Sequence, residues 1–379
     1  MDKVGDRGIH VTPSGVSPFL SVCMPTYNRS VILLQQLRNL ATYQTGEIEV
    51  CISDNASTDD TWSILQRYEM ERRDLLTIHR NDRNIGAGAN FLKCLEMAKG
   101  QYCWLVGDDT HVKWHLLPEL IRYLKTDGSE IVFFCNRDNV TWLGGHDHVN
   151  SLQSLYDNGT ITGDLHFLGN YVFKREASIQ HLPSAYKTTQ WEHPYVYVAY
   201  ALIKEGARMA LCDLLPFENT TMPLELCDYR VLPRWNVARS HVGAWKTSRE
   251  VALNEHDLLK QIDMAEARFR LKTIAAAVVR DLAGIAPSGI STEWSFVLAR
   301  APGKQFLLWA ALRALWLLRR WPTLMTTTIL TTYFAADKNA RRILVLYLPE
   351  INTVGLWSAL YQSIKSRRFD RRFTQTKAY

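Results

Sequence analysis

Three polar clusters interrupt the apolar runs of the chain's first third: Pro25-Thr26-Tyr27-Asn28-Arg29, Ser53-Asp54-Asn55-Ala56-Ser57 and Gly107-Asp108-Asp109-Thr110. Each follows a short, apolar, strand-like segment. Acidic and polar residues gathered where several strands end mark the place where open α/β sheets bind ligands. Adjacent carboxylates repel one another, so Asp108-Asp109 at the mouth of an apolar strand asks for a compensating cation. A hard, oxygen-ligated ion such as Mg²⁺ or Mn²⁺ is the natural one, and it would neutralise a diphosphate. An isolated Asp-Asp is ordinarily a solvated turn; its placement beside two other clusters points to chemistry. The pair His146 and His148, two residues apart without further ligands, is a poor zinc signature.

The elements that must position these clusters are legible from the pattern. Short apolar runs alternate with amphipathic stretches from Phe19 onward, as in βαβ units around a parallel sheet. Strands are expected at 19–24, 48–53, 76–79, 102–106 and 131–135, and helices near 30–45, 60–73, 87–99 and 114–125. Ser57-Thr58-Asp59-Asp60 reads as the capping stretch of the second helix, and Gly100 as the stop after the third. Residues 138–165, rich in Gly, Asn, Asp and His, read as a long loop of the kind that carries function. Pro194 opens and Gly206 closes a helix over 195–205. The fold class that follows is α/β, with a mostly parallel central sheet and helices on both faces.

With 379 residues, 47% hydrophobic and 22% charged, the chain can bury a sizeable core. Its 20 Gly and 13 Pro exclude collagen-like and low-complexity architectures. The seven cysteines occur singly, with no Cys-x-x-Cys, and read as buried thiols of a reducing compartment. Residues 1–18 mix charge, Gly and Pro without an apolar core, and read as a flexible leader. The net charge of +6 is uneven: residues 265–379 hold 18 Lys/Arg against 6 Asp/Glu, the remainder 26 against 32. The basic end alternates arginines with large apolar residues, a texture suited to an anionic membrane surface and not to nucleic acid. Phe306–Leu318 and Trp321–Ala336 fall short of the ~20 apolar residues of a membrane span. Three regions are expected: the leader, a catalytic domain over 19–245, and a helical, basic, membrane-associating domain over 246–379.

The segments LSVCMPTYNR (20–29), EVCISDNASTDDT (49–61) and NDRNIGAGANFLKCLEMAKGQYCWLVGDDT (81–110) resemble, in order and spacing, the successive motifs of family 2 glycosyltransferases with the GT-A fold. The closest resemblance is to the abequosyltransferase-like and rhamnosyltransferase-like members that build bacterial surface polysaccharide. It covers about 19–135, thins towards 245 and is absent beyond. The resemblance implies a nucleotide-sugar donor, a divalent metal and a glycan or lipid-linked acceptor, with work on the cytoplasmic face of a membrane. By position, Thr26 and Tyr27 would line the nucleotide base, and Asp54 would accept a hydrogen bond from base or ribose. Asn84, Gly86 and Asn90 would bring backbone close to the nucleotide, with Arg83 a possible phosphate contact. Asp108 would face the ribose and Asp109 the ion.

Many relatives read Asp-x-Asp-Asp where this chain has Val106-Gly107-Asp108-Asp109, and Thr110 stands where close relatives carry a third Asp. The resemblance also implies inversion, with a general base from a Glu-Asp pair opening a helix after the metal motif. Here Gln190-Trp191-Glu192-His193-Pro194 occupies that place, and either Glu192 or His193 could serve; Asp228 and Asp147 are further candidates. Arg239-Ser240-His241 resembles an Arg-x-His element that closes over the diphosphate. A dehydrogenase is excluded because no glycine fingerprint follows the first strand, and a nucleotidyltransferase because no Gly-rich basic loop does. The alternative is a catalytically degenerate, sugar-nucleotide-binding scaffold of a polysaccharide assembly complex.

Overall fold

Apolar residues alternate along the first strands, and the alternation decides which helices each face of the sheet receives. The structure, a computed structural model, describes residues 17–41, 46–135, 148–157, 167–191, 193–214, 216–218, 237–264, 266–267, 274 and 293–300. Strands β1 (Leu20–Thr26), β2 (Ile48–Asp54), β3 (Leu76–Arg80) and β4 (Tyr102–Leu105) are parallel and lie in the order β3-β2-β1-β4. Leu20, Val22, Met24, Val50, Ile52, Tyr102 and Trp104 all belong to one hydrophobic core. Helices α1 (Ser30–Ala41), α2 (Thr61–Glu71) and α4 (Leu117–Asp127) cover that face with Leu33, Leu37, Leu65, Leu120 and Leu124. The intervening residues Cys23, Cys51 and Cys103, each at most 1% exposed, belong to the opposite face, where α3 (Ala87–Met97) lies on β1, β2 and β4. Burying each large apolar side chain contributes ~1.5–3 kcal/mol.

The sheet continues beyond β4. A two-residue strand β5 (His111–Val112) leaves it, and β6 (Ile131–Phe134) and β7 (His148–Val149) rejoin it, with α5 (Leu152–Asp157) following. Strand β8 (Tyr171–Lys174) wedges antiparallel between β4 and β6, then runs directly into α6 (Arg175–Ile179) and α7 (Leu182–Ala185). Helix α8 (Pro194–Lys204) precedes β9 (Met209–Cys212), which pairs parallel with β6, while β10 (Phe217–Glu218) pairs with β5. The full order is β3-β2-β1-β4-β8-β6-β9-β7. Trp104, wholly enclosed, ties the two halves together: its Nε1 donates to the Gly169 carbonyl at 2.8 Å and its ring meets Phe134 edge-on.

The expected α/β sheet with helices on both faces is present, and the five expected strands and the 195–205 helix fall within a few residues of the reading. The expected capping stretch of α2 is present: Asp59 Oδ1 accepts Thr61 N at 3.0 Å, whereas Asp60 makes no side-chain cap bond. Two local expectations need correction. Residues 138–165 are not one loop: β7 and α5 lie inside it, and residues 136–147 and 158–166 are outside the described residues. Helix α3 ends at Met97, three residues short of Gly100.

The described residues group into two compact units, those up to 233 with 246–261, and those in 234–245 and from 262 on. In the first, Lys204 donates to the Val251 carbonyl at 2.8 Å. In the second, Trp245 Nε1 donates to Asp263 at 2.8 Å, Phe296 of α10 (Trp294–Arg300) meets the Trp245 ring edge-on, and Arg300 lies over Phe296. Among the described residues no helix is long and apolar enough to cross a membrane.

Candidate active site

The parallel strands β1, β2 and β3 end at Thr26, Asp54 and Arg80, and β4 runs into Gly107-Asp108-Asp109-Thr110, so all four ends open on one rim of the sheet. Two loops on that rim are laced together. Asn28, held at φ +52°, accepts from Thr58 N at 2.8 Å, and its own N–H donates to Ser57 Oγ. Arg29 N donates to Thr61 Oγ1, and Ser30 N to Asp59 Oδ2. Asp59 thus receives amides from the first residues of both α1 and α2.

Beneath the rim lies a network of asparagine amides. Asn55 Oδ1 accepts from Asn81 Nδ2 and from Ile85 N, while Asn55 Nδ2 donates to Asn84 Oδ1. Asn90 Oδ1 receives Ser53 Oγ and Asn81 Nδ2, and Asn90 Nδ2 returns to the Ser53 carbonyl. Asn84 also accepts from Gly86 N, which places Gly86, at φ +87°, as the cap of α3. The 81–86 loop is therefore fixed from below, with Asn84 and Gly86 exposed on the rim.

The acidic turn is built on contrast. Asp108 is 8% exposed; Thr26 Oγ1 donates to its Oδ2 at 2.7 Å, and Arg29 Nε stands 3.9 Å from its Oδ1. Burial and the neighbouring Asp109 push Asp108 up to about 7, against the pull of Arg29 and Thr26. Asp109 is partly exposed. A Cβ on Gly107 would come within 2.8 Å of Asp109 Oδ1, so a larger residue there would make that carboxylate shift. Val106, at the position of the first acid in many relatives, is wholly buried in the core. The Thr110 carbonyl accepts from Gln36 Nε2 of α1.

Among the described residues no group of three or more His, Cys, Asp or Glu could hold a metal alone. The donor set fits an ion that shares its shell with phosphate: Mg²⁺ is usually held by one or two carboxylates plus substrate phosphates. Asp109, partly exposed and given room by Gly107, can supply such a carboxylate.

Asp54 is wholly enclosed. Its carboxylate accepts from Ser57 N and Ser57 Oγ and pairs with Arg80 Nε at 3.4 Å. Burial pushes its carboxyl up, opposed by the Ser57 bonds and Arg80. Arg80, 40% exposed, also donates to the Ser57 carbonyl and lies over the Trp62 ring. Tyr27 is partly exposed on the same rim, and Arg83 is exposed.

On the other side of α3, Gly88 lets the 186–194 segment approach: a Cβ there would sit 2.8 Å from the Thr189 carbonyl and 3.3 Å from Pro194 Cδ. This contact brings Pro194, which follows the α8 cap His193, beside the helix whose first turn holds Asn90. His193 Nδ1 is 3.0 Å from the Tyr195 hydroxyl, and Tyr195 packs against Phe91 and Tyr171. Glu192, Asp147, His146 and Asp228 lie outside the described residues; Arg239 and His241 lie on α9 (Val237–Glu250), where the Arg239 side chain is likewise not described.

The model for glycosyl transferase family 2 matches residues 21–181. This stretch contains every strand end that forms the rim. Residues 21–181 are thus similar to a family 2 glycosyl transferase domain. Abequosyltransferase RfbV of Salmonella typhimurium is 27% identical to it over 202 residues, which are 48% of this chain and 60% of that protein. The GalNAc(5)-diNAcBac-PP-undecaprenol beta-1,3-glucosyltransferase of Campylobacter jejuni is 28% identical over 105 residues, 28% of this chain and 34% of that protein. The chain thus spans about 60% or less of the length of these relatives. Among solved structures, S. aureus TarS 1-349 is similar with a TM-score of 0.48 and 16% identity, over 83% of this chain and 91% of that one. Two arginines on the rim, Arg29 and Arg80, were given no role of their own from the sequence. Each is a lone cation after a strand, and its signal is only that an acid ends the adjacent strand.

Proposed function

We propose that the protein transfers a sugar from a nucleoside-diphosphate donor to an acceptor hydroxyl, with inversion, in the assembly of a surface or lipid-linked glycan. The observation that carries this reading is the joining of Thr26 to Asp108 across β1 and β4, which leaves a partly exposed acid, Asp109, on the rim where the polar loops after the strands open. Tyr27 and the exposed edges of Asn84 and Gly86 are the nucleotide surface; Thr26, expected to line the base, is buried and acts on it through Asp108. Asp54 acts on that surface by fixing Ser57 and Arg80. Asp109 and the donor's phosphates would hold a divalent ion, which supplies charge neutralisation for the departing diphosphate.

The displacement is a single in-line step. The acceptor oxygen forms a bond to the anomeric carbon as the bond to the diphosphate oxygen breaks, and a general base takes the acceptor's proton. The candidates are Glu192 and His193, of which His193 caps α8 with its Nδ1 3.0 Å from the Tyr195 hydroxyl. An imidazole at that place could take the proton. Arg239 and His241 are proposed to contact the diphosphate, and the basic 246–379 region to rest on an anionic membrane near the acceptor.

Calorimetric titration with UDP, dTDP, CDP and GDP, each with Mn²⁺, Mg²⁺ or chelator, tests the reading. Binding of one nucleotide that needs metal and is lost in Asp109→Ala supports it. Absence of binding by the folded protein under every condition overturns it in favour of the catalytically degenerate scaffold.

A further inference from the structure

Both oxygens of Asp108 are already engaged in the donor-free protein, one by Thr26 and one facing a guanidinium. The Arg29 and Asp108 side chains are only 14% and 11% exposed, so this pair is shielded from solvent and from salt. Arg29 hangs from a rigid point: its N–H donates to Thr61 Oγ1, and its carbonyl accepts from Leu33 N in the first turn of α1. The turn contributes no third acid, since Val106 faces the core and position 107 is glycine. A fixed cation therefore already faces Asp108, one of the two carboxylates of the turn.

We propose that Arg29 is the resident counter-ion of the acidic turn, keeping a free divalent ion off Asp108 and Asp109 so that an ion enters only together with a nucleoside diphosphate. The inference rests on reading this turn as the diphosphate site. Two carboxylates against one guanidinium leave too little net negative charge to draw a dication from water. The diphosphate adds the missing charge and the missing oxygen ligands. Arg29 is a positioning residue here: it acts on the ion through Asp108.

The test is nucleotide-free binding of Mn²⁺, followed by electron paramagnetic resonance of the free ion at about pH 8, for wild type, Arg29→Gln and Arg29→Lys. The wild type and Arg29→Lys are expected to bind free Mn²⁺ weakly. Arg29→Gln is expected to bind it on the order of tenfold more tightly, a gain that Arg29→Gln with Asp109→Ala loses. Equal affinity in wild type and Arg29→Gln overturns the proposal, as does a gain that survives loss of Asp109. Micromolar binding of free Mn²⁺ by the wild type overturns it whatever the variants do, including a variant that fails to fold. None of these readings uses a nucleotide, so failure here is distinct from failure of the calorimetric titration that tests the proposed function.

Discussion

Thr26 and Asp108, 82 residues apart in sequence, are joined by a 2.7 Å hydrogen bond from the Thr26 hydroxyl to Asp108 Oδ2. The bond links the end of β1 to the turn after β4 and leaves Asp109 as the outward member of the acidic pair. Thr26→Val removes the donor while keeping the shape. Loss of this buried, charge-assisted bond is expected to cost about 1.5–3 kcal/mol in denaturant unfolding at about pH 8. Thr26→Ser should recover most of it, and recovery by Val instead would rule out the hydroxyl as the cause.

Asp108 carries a pH signature of its own. Burial and Asp109 raise its folded pKa to about 7, so the folded protein keeps a proton that the unfolded chain releases near pH 4. This group therefore costs stability as pH rises through that window, and the cost is complete only above about 7. Asp108→Asn removes the titration. Its stability relative to wild type should improve between about pH 4 and 8, by no more than about 4 kcal/mol. Unfolding midpoints that change in parallel across the window would contradict this.

Asp59 has the opposite sign. Partial burial works to raise its carboxyl, but hydrogen bonds from Thr61 and Ser30 outweigh that and hold it below the ordinary range. Its stabilisation is present above about pH 4 and is lost as pH falls through the lowered folded value. Asp59→Ala should cost about 1–2 kcal/mol at neutral pH, since one carboxylate caps two helices. The difference should vanish in acid, as thermal melts at several pH values can check.

Ala56 sits at φ +59°, in the left-handed region that a Cβ disfavours. Ala56→Gly is expected to stabilise the folded state by about 1 kcal/mol, less the added freedom of the unfolded chain. A destabilised Ala56→Gly in chemical denaturation would show that the loop is held by other means.

Gly88→Val tests the link between the nucleotide loop and the segment bearing His193. The new side chain must displace the Thr189 carbonyl and Pro194. Transfer should fall at least about tenfold in kcat while nucleotide binding stays within about twofold, because the rim loops are fixed from β2 and β3 instead. A loss of nucleotide affinity equal to the loss of kcat would place Gly88 in the nucleotide site itself.

Much of the fold was legible because β1, β2 and β4 are buried on both faces and read as largely apolar runs flanked by amphipathic helices. Strands β8 and β9 escaped notice for a physical reason. Each has only four residues, too few to show a period, and β8 passes into α6 without a turn. Of the candidate site, the clustering of Thr26, Asp54, Asp108 and Asp109 could be read from their strand ends. The enclosure of Asp54 could not, because it depends on Ser57 folding back and on Arg80 arriving from another strand. Arg29 was hidden likewise: its partner lies 79 positions away, and no local period reports such a pairing.

The frame under the rim is made of Asn55, Asn81, Asn84 and Asn90, joined to one another by amide hydrogen bonds, with Ser53 Oγ on Asn90 and His79 Nε2 3.2 Å from Asn81 Oδ1. Amides neither gain nor lose protons between strongly acidic and strongly basic solution. The links between the asparagines are therefore silent to acidity, while the ionisable groups around them, Asp108 foremost, respond to it. A change of binding with pH near neutrality reports on those groups and not on the amide links themselves.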